Sequence, residues 1–157
     1  MGFPRRGRKE NIMDRQKELA EKVVKLAKDF TGWNFSMEQD GDSCYVITTV
    51  TDLARKNRIT IYYTIREQYA LLTVFCPYKG YNEALVGMEV NMLPYKNEIF
   101  YKYGVFATTF RETGIYFNSP FPLDVLENET SSIVGAVTAD LLGAVMDVIN
   151  YGNRNYN

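Results

Sequence analysis

The chain has 157 residues, a formal net charge of −1, 46% hydrophobic residues and 24% charged residues. These values are typical of a single soluble globular domain. The near-zero charge excludes a nucleic-acid binder whose whole surface is basic. The sequence contains no histidine, the commonest general base and zinc ligand, so we expect no catalytic site, no metal site and no cofactor.

The cysteines and the apolar segments bear on the compartment. Cys44 and Cys76 fall in strand-like runs and are interpreted as small buried hydrophobes of a reducing compartment, with a disulfide between neighbouring strands as the alternative. Apolar stretches are interrupted before 18 residues, which predicts no membrane span. The basic N-terminus has no apolar segment behind it, so no signal peptide is expected. The prediction is a cytoplasmic protein that binds neither membrane nor nucleic acid.

The first predicted elements are a tail and a helix. Residues 1–9 carry four basic side chains with two glycines and a proline, and are predicted to be a mobile basic tail. Asn11 is a candidate N-cap, after which apolar residues recur with a 3.6-residue period as far as Phe30. Gly32 is predicted to end this helix. The single α+β domain is predicted to cover residues 10–151, with a polar C-terminal tail over 152–157.

The next segment predicts an antiparallel sheet. Residues 33–38 read as a short edge strand, and three alternating runs follow it. Their short connections require antiparallel neighbours, because a parallel crossover needs a dozen or more residues. In the second of these runs Ile59, Ile61, Tyr63 and Ile65 are predicted to face inward. The three runs are residues 44–51, 58–66 and 69–76.

The second half of the chain predicts a helix, a hairpin and a last helix. The helix begins after Asn82, carries Leu85, Met88, Met92 and Tyr95 on one stripe, and is predicted to end or kink at Pro94. A hairpin of strands 102–110 and 113–118 comes next, and the last helix is predicted to start between residues 124 and 131.

The last helix is apolar around most of its circumference, so it must be covered on more than one side. Gly135, Ala139 and Gly143 recur at four-residue steps and provide a smooth face that another backbone can approach closely. One cover is the sheet of the same chain. The other is either the first helix or another subunit, and these three residues are the predicted self-association site.

Three tyrosines fall on outward strand positions, namely Tyr45, Tyr62 and Tyr116. Tyrosine combines a large apolar area with a hydroxyl, which suits a recognition surface, so these residues are predicted to form a protein-binding surface. The alternative is that tyrosine and threonine occupy these positions because of their high β-propensity.

The element order and certain local patterns resemble the YbjN-like proteins, whose fold is shared with type III secretion chaperones. The resemblance covers roughly residues 10–150, and its motifs are apolar patterns without catalytic signatures. Residues 92–97 depart from the family pattern, which usually has an Asn-rich end to this helix. The matching pieces are Gly32-Trp33, Asp40-Gly41-Asp42, the alternating strands to Cys76, Asn82-Glu83, Gly104-Val105-Phe106, Gly114-Ile115-Tyr116-Phe117 and Phe121-Pro122-Leu123.

The resemblance implies a small dimeric protein that binds other polypeptides and has no catalytic centre. The predicted fold is an α+β domain in the order α-β-β-β-α-β-β-α, with an antiparallel sheet of five or six strands and three helices against one face. The predicted function is non-enzymatic protein binding, chaperone-like or adaptor-like, through apolar grooves and an exposed strand edge. A small-molecule- or lipid-binding domain with a cavity between sheet and helices is the alternative, and an enzyme using carboxylate or lysine chemistry is a third hypothesis.

Overall fold

The structure is a computed structural model that describes residues 5–52, 57–77, 83–110 and 114–156. It is an α+β domain with one sheet and a helical layer. Three segments join end to end at the C-terminus and are together called the C-terminal helix: α5 (Thr130–Ala136), a π-helical turn (Val137–Leu141) and α6 (Leu142–Tyr156). The other elements are α1 (Arg5–Thr31), β1 (Ser36–Asp40), β2 (Ser43–Asp52), β3 (Asn57–Ile65), β4 (Tyr69–Cys76), α2 (Glu83–Lys96), α3 (Glu98–Tyr103), β5 (Phe106–Phe110), β6 (Gly114–Pro122) and α4 (Leu123–Asn128).

The sheet has six strands in the order β1-β2-β3-β4-β6-β5, and every neighbouring pair is antiparallel. The predicted α+β class and antiparallel pairing are therefore confirmed. Four strands rather than three precede α2, because the short edge strand expected at residues 33–38 does form, shifted to β1.

The inner face of the sheet forms the core with the helices. Ile59, Ile61, Tyr63 and Ile65 are all buried, as the alternation along β3 predicts. The same hydrophobic cluster includes residues of α1, α2, α3, α4 and the C-terminal helix. The C-terminal helix contacts α1 and α2 as well as β4, so it lies between the two other long helices against the sheet. Its apolar circumference is thus covered from several sides by its own chain.

The helix ends differ from the predicted ones. α1 begins at Arg5, six residues before the expected cap at Asn11, so only residues 1–4 of the predicted tail lie outside the described residues. Gly32 ends the helix as predicted, with a positive φ of 77° and a hydrogen bond of 2.7 Å from its N–H to the Lys28 carbonyl. The C-terminal helix continues to Tyr156, through most of the predicted polar tail.

The strand predicted over residues 102–110 is wrong in its first part, because α3 occupies its beginning. Asn97 caps α3 by accepting a hydrogen bond of 2.9 Å from the Ile99 N–H. The Asn97 amide also donates to Asp140 of the C-terminal helix at 3.0 Å. The cap and its tertiary partner stabilise a turn of helix where β-branched and aromatic residues alone suggest a strand.

Part of the C-terminal helix, Thr130–Asn150, is long and apolar enough to cross a membrane by length and composition, with a mean hydropathy of 1.7. The sequence pattern predicts no apolar stretch as long as 18 residues. Half of the window is buried inside the domain, and the helix packs on the sheet and on two other helices. These contacts are those of a core helix of a globular domain.

Polar contacts hold α1 in place against the sheet and α4. The buried Gln16 amide donates to two carbonyls, those of Asp42 at 2.8 Å and Ile65 at 3.1 Å. Arg15 forms a two-pronged pair with Glu127 of α4, with N–O distances of 2.8 and 3.0 Å. The pair is partly exposed and contributes little stability, whereas the buried amide satisfies carbonyls at both hairpin turns of this end of the sheet.

Gly114 begins β6 with a φ of 124°, and it lies directly against the end of β4. A Cβ at this position would overlap the Cys76 carbonyl oxygen and come within 2.7 Å of the Pro77 Cα. We expect Gly114→Ala to lower the free energy of unfolding by about 2 kcal/mol or more, measured by urea denaturation. The control is Gly87→Ala on exposed α2, where the added methyl meets no atom within 4 Å and should raise stability by about 0.5–1 kcal/mol. Equal effects of the two substitutions would contradict the close packing of β6 on β4.

The Tyr63 hydroxyl is fully buried and has no hydrogen-bond partner among the described residues. Burial raises the pKa of this phenol far above its ordinary value. We expect Tyr63→Phe to raise the free energy of unfolding by roughly 1 kcal/mol, because the variant no longer buries an unsatisfied hydroxyl. Tyr62→Phe is the control: its ring is only half-buried and its hydroxyl lies near Thr73, so its loss should not raise stability. Destabilisation by Tyr63→Phe would show that this hydroxyl has a partner after all.

Candidate functional site

The opposite side of the sheet, here called the open face, is covered by no helix in the part of the chain that the structure describes. None of its side chains belongs to the hydrophobic core cluster. Strand pairing arranges them in three rows that run across the sheet. The rows are Thr49, Thr60, Phe75, Tyr116 and Thr108; Ser36, Ile47, Tyr62, Thr73, Asn118 and Phe106; and Glu38, Tyr45, Thr64, Leu71 and Pro120.

The three tyrosines predicted for a binding surface all lie on the open face. Tyr45 pairs with Thr64, two residues along β3 from Tyr62. Tyr116 pairs with Phe75 of β4. All three tyrosines are half-buried, so each presents part of its ring and the rest packs on neighbouring side chains.

Contacts along the surface hold the aromatic rings of the open face. The rings of Phe75 and Tyr116 stack with centroids 4.3 Å apart and an interplanar angle of 26°. Thr73 is fully buried, and it donates a hydrogen bond of 2.9 Å to Asn118. Burial raises the pKa of the Tyr62 phenol; the nearby Tyr116 adds to this, and a hydrogen bond with Thr73 opposes it. Neighbouring side chains therefore hold the rings of the open face in place.

The interior of the open face carries no charged side chain among the described residues. Glu38 lies at the β1 margin, and Arg58 lies beyond the first row near the start of β3. A surface with an uncharged centre and charges at its rim has the composition of a protein–protein interface.

The predicted protein-binding set contains only the three tyrosines and leaves out the apolar members of this surface. Ile47 and Phe75 are half-buried on the open face, and Phe106 of β5 is 60% exposed. The period of two residues places Ile47 on the same face as Tyr45, so the strand pattern contained this signal. Phe106 lies two residues before Thr108, so the same period places it on this face as well.

The predicted self-association stripe lies on the outer side of the helical layer and is not uniformly accessible. The Phe30 ring of α1 lies over Gly135, 3.4 Å from where a Cβ would stand. Ala139 is exposed, and a Cβ on Gly143 would meet no atom within 4 Å. The first helix, which was one of the two predicted covers, thus covers the stripe at Gly135. Self-association through Ala139 and Gly143 stays a prediction.

A second group of exposed apolar side chains lies on α2 and α3. Met88, Met92 and Tyr95 of the predicted stripe are exposed, and Tyr101 of α3 joins them. Only Leu85 of that stripe turns inward, where the buried face of α2 is completed by Val86 and Leu93.

The two edges of the sheet differ in charge. β1 is exposed at all five residues and includes Glu38 and Asp40. β5 contains no charged residue and is contacted by α2. Charged side chains on an edge strand oppose pairing with another strand, so β5 is the more receptive edge.

Two hollows at the surface are the candidate ligand sites of the domain. One, of about 250 Å³, is lined by turn residues that include Asp42, Arg66 and Tyr69; the other, of about 130 Å³, lies in the groove between α1 and α4. Neither lies between the sheet and the helices, where the alternative reading puts its cavity. Within the described residues no three acidic, cysteine or histidine side chains come together as a metal site would need, and the two buried cysteines form no disulfide.

Comparison of the chain with protein-family models, curated proteins and solved structures finds no match.

The pKa of the Tyr62 phenol depends on how well its neighbours on the open face shield it from water. In alkaline titration followed by phenolate absorbance, the signal lost in Tyr62→Phe should titrate above the ordinary tyrosine pKa of about 10, because burial disfavours the phenolate. In urea the same signal should return to about 10. Because the unfolded phenol ionises first, Tyr62 should also reduce folded stability as the pH rises above about 10. A native-state signal at or below 10 would contradict the packing described for this face.

Proposed function

We propose that this protein is a non-enzymatic, protein-binding domain, chaperone-like or adaptor-like, whose binding surface is the open face of the sheet. The single observation that carries the proposal is the open face itself. It is a broad sheet surface of stacked aromatic, aliphatic and threonine side chains with charges only at its rim. Aromatic side chains at an uncharged centre, with charges at the rim, are typical of an interaction site.

The order of the surface supports polypeptide binding. Rings already held by neighbours lose little side-chain entropy on binding, which leaves more of the contact energy for affinity. Tyr45, Tyr62 and Tyr116 provide apolar area together with hydroxyls that can bond to a partner's backbone.

The β5 edge provides a second mode of binding. An extended segment that pairs with β5 would form main-chain hydrogen bonds, and its side chains on one side would meet Phe106. The resemblance to YbjN-like proteins and type III secretion chaperones agrees with this proposal.

We also propose that the protein is cytoplasmic, forms a homodimer and binds another polypeptide, with no membrane or nucleic acid as ligand. The alternative of a small-molecule or lipid site between the layers predicts a thermal-shift response to such ligands, and the two surface hollows lend it no support.

Site-specific photo-crosslinking in the native host tests the proposed surface. A photoreactive residue at Thr60, in the first row of the open face, should form adducts with a polypeptide. The same residue at Asn91, which is exposed on the helical side, should form at least tenfold fewer. Adding Tyr62→Lys should reduce the Thr60 adducts by a similar factor, because a charge is then placed at the uncharged centre.

Circular dichroism and thermal unfolding establish that each variant is folded. Absence of polypeptide adducts at Thr60, or equal yields from Thr60 and Asn91, would overturn the proposed function.

A further inference from the structure

We infer that the open face binds a second copy of this chain, so that two sheets pack face to face in a symmetric dimer. This inference rests on the proposed function, because it names a second copy as the partner of that surface; a different polypeptide would then bind the dimer at the β5 edge. Four properties of the face carry it: its lack of charge, its size, its regularity and the contacts already made on it.

The charge distribution permits the face to meet itself. Self-pairing places every charged side chain of a surface near others of the same set, so a charged interface opposes its own copy unless the signs interleave. Among the described residues, the only charged side chain in the three rows is that of Glu38 at the β1 margin, and Asp40 and Arg58 lie beyond the rows at the two ends of the face. The whole chain carries a net charge of only −1, so two copies repel each other weakly.

The size of the face matches that of a stable dimer interface. Four central strands of eight to ten residues and two edge strands of five residues span roughly 700 Å² in projection, at a strand spacing of about 4.8 Å and a rise of about 3.4 Å per residue. A standard specific interface covers about 800 Å² on each partner. The accessible area of a surface with side chains exceeds its projection, so the open face alone reaches the required size.

The shape of the face favours another sheet as its partner. Twisted sheets pack face to face about 10 Å apart with their strands about 30° from alignment, because two surfaces of the same twist fit only near that angle. The three rows present mostly threonine, tyrosine and aliphatic side chains at regular spacing, and the interior contains no long charged side chain that would hold the sheets apart. A second copy provides a surface with the same twist and row spacing.

The burial of the side chains on the open face also favours a second sheet as its cover. Thr73 is fully buried and Thr64 nearly so before any partner is present. Phe75, Tyr62 and Tyr116 are half-buried, with their remaining ring area directed away from the helical layer. A second sheet at about 10 Å would remove this area from water.

Sedimentation velocity of the purified chain from 1 to 100 μM tests the inference. The wild type should sediment with twice the mass of one chain. Ile47→Lys places a charge in the middle row, and Thr49→Lys places one at an already exposed position of the first row, where the fold tolerates it readily. Each should weaken dimerisation at least tenfold while far-UV circular dichroism and cooperative unfolding are retained. Met88→Lys on α2 and Ala139→Lys on the C-terminal helix, both exposed, should leave the dimer unchanged.

The possible outcomes separate this inference from the proposed function. A monomeric wild type that still forms adducts at Thr60 with a different protein overturns the dimer and leaves protein binding intact. A dimer broken by Met88→Lys or Ala139→Lys, but unaffected by Thr49→Lys, overturns the inference and assigns self-association to the helical layer. A monomeric wild type without adducts at Thr60 overturns both proposals.

Discussion

The structure depends on one constraint, which is that helices cover only one side of a six-stranded antiparallel sheet. Successive side chains on a strand point to opposite faces, so every inward isoleucine of β3 implies an outward neighbour that the helices do not reach. The core is built from one half of each strand, together with a C-terminal helix held between α1, α2 and the sheet. The other half of each strand makes the open face. The stability of the domain and its capacity for binding therefore come from alternate residues of the same segments.

The sequence predicts this division well and the element boundaries less well. Alternation identified the inward set of β3 and the outward tyrosines, because a period of two residues is unambiguous in β3 and β2. The relative positions of the three tyrosines on their shared surface could not be deduced, since they depend on pairing across four strands and on β4 meeting β6 rather than β5. Register of this kind is set by tertiary packing.

Local signals fail where a distant residue decides the outcome. The predicted strand over residues 102–110 overlaps only the last two residues of α3, whose aromatic side chains favour a strand, and the contact between Asn97 and Asp140, 43 positions apart in the chain, stabilises the helix. The glycine at position 135 suggested an open helix surface, yet the Phe30 ring occupies the space that its missing side chain leaves. A single sequence does not reveal which partner fills such a space.

The unequal edges of the sheet bear on how the protein avoids uncontrolled polymerisation. A chain with two receptive edges can add neighbours on both sides without limit, as amyloid-forming segments do. Here one edge carries two carboxylates and the other carries none, so strand pairing through β5 uses up the receptive edge of each participant. An assembly that forms by pairing of β5 strands therefore stops at two chains. The exposed strand edge does not lead to polymerisation.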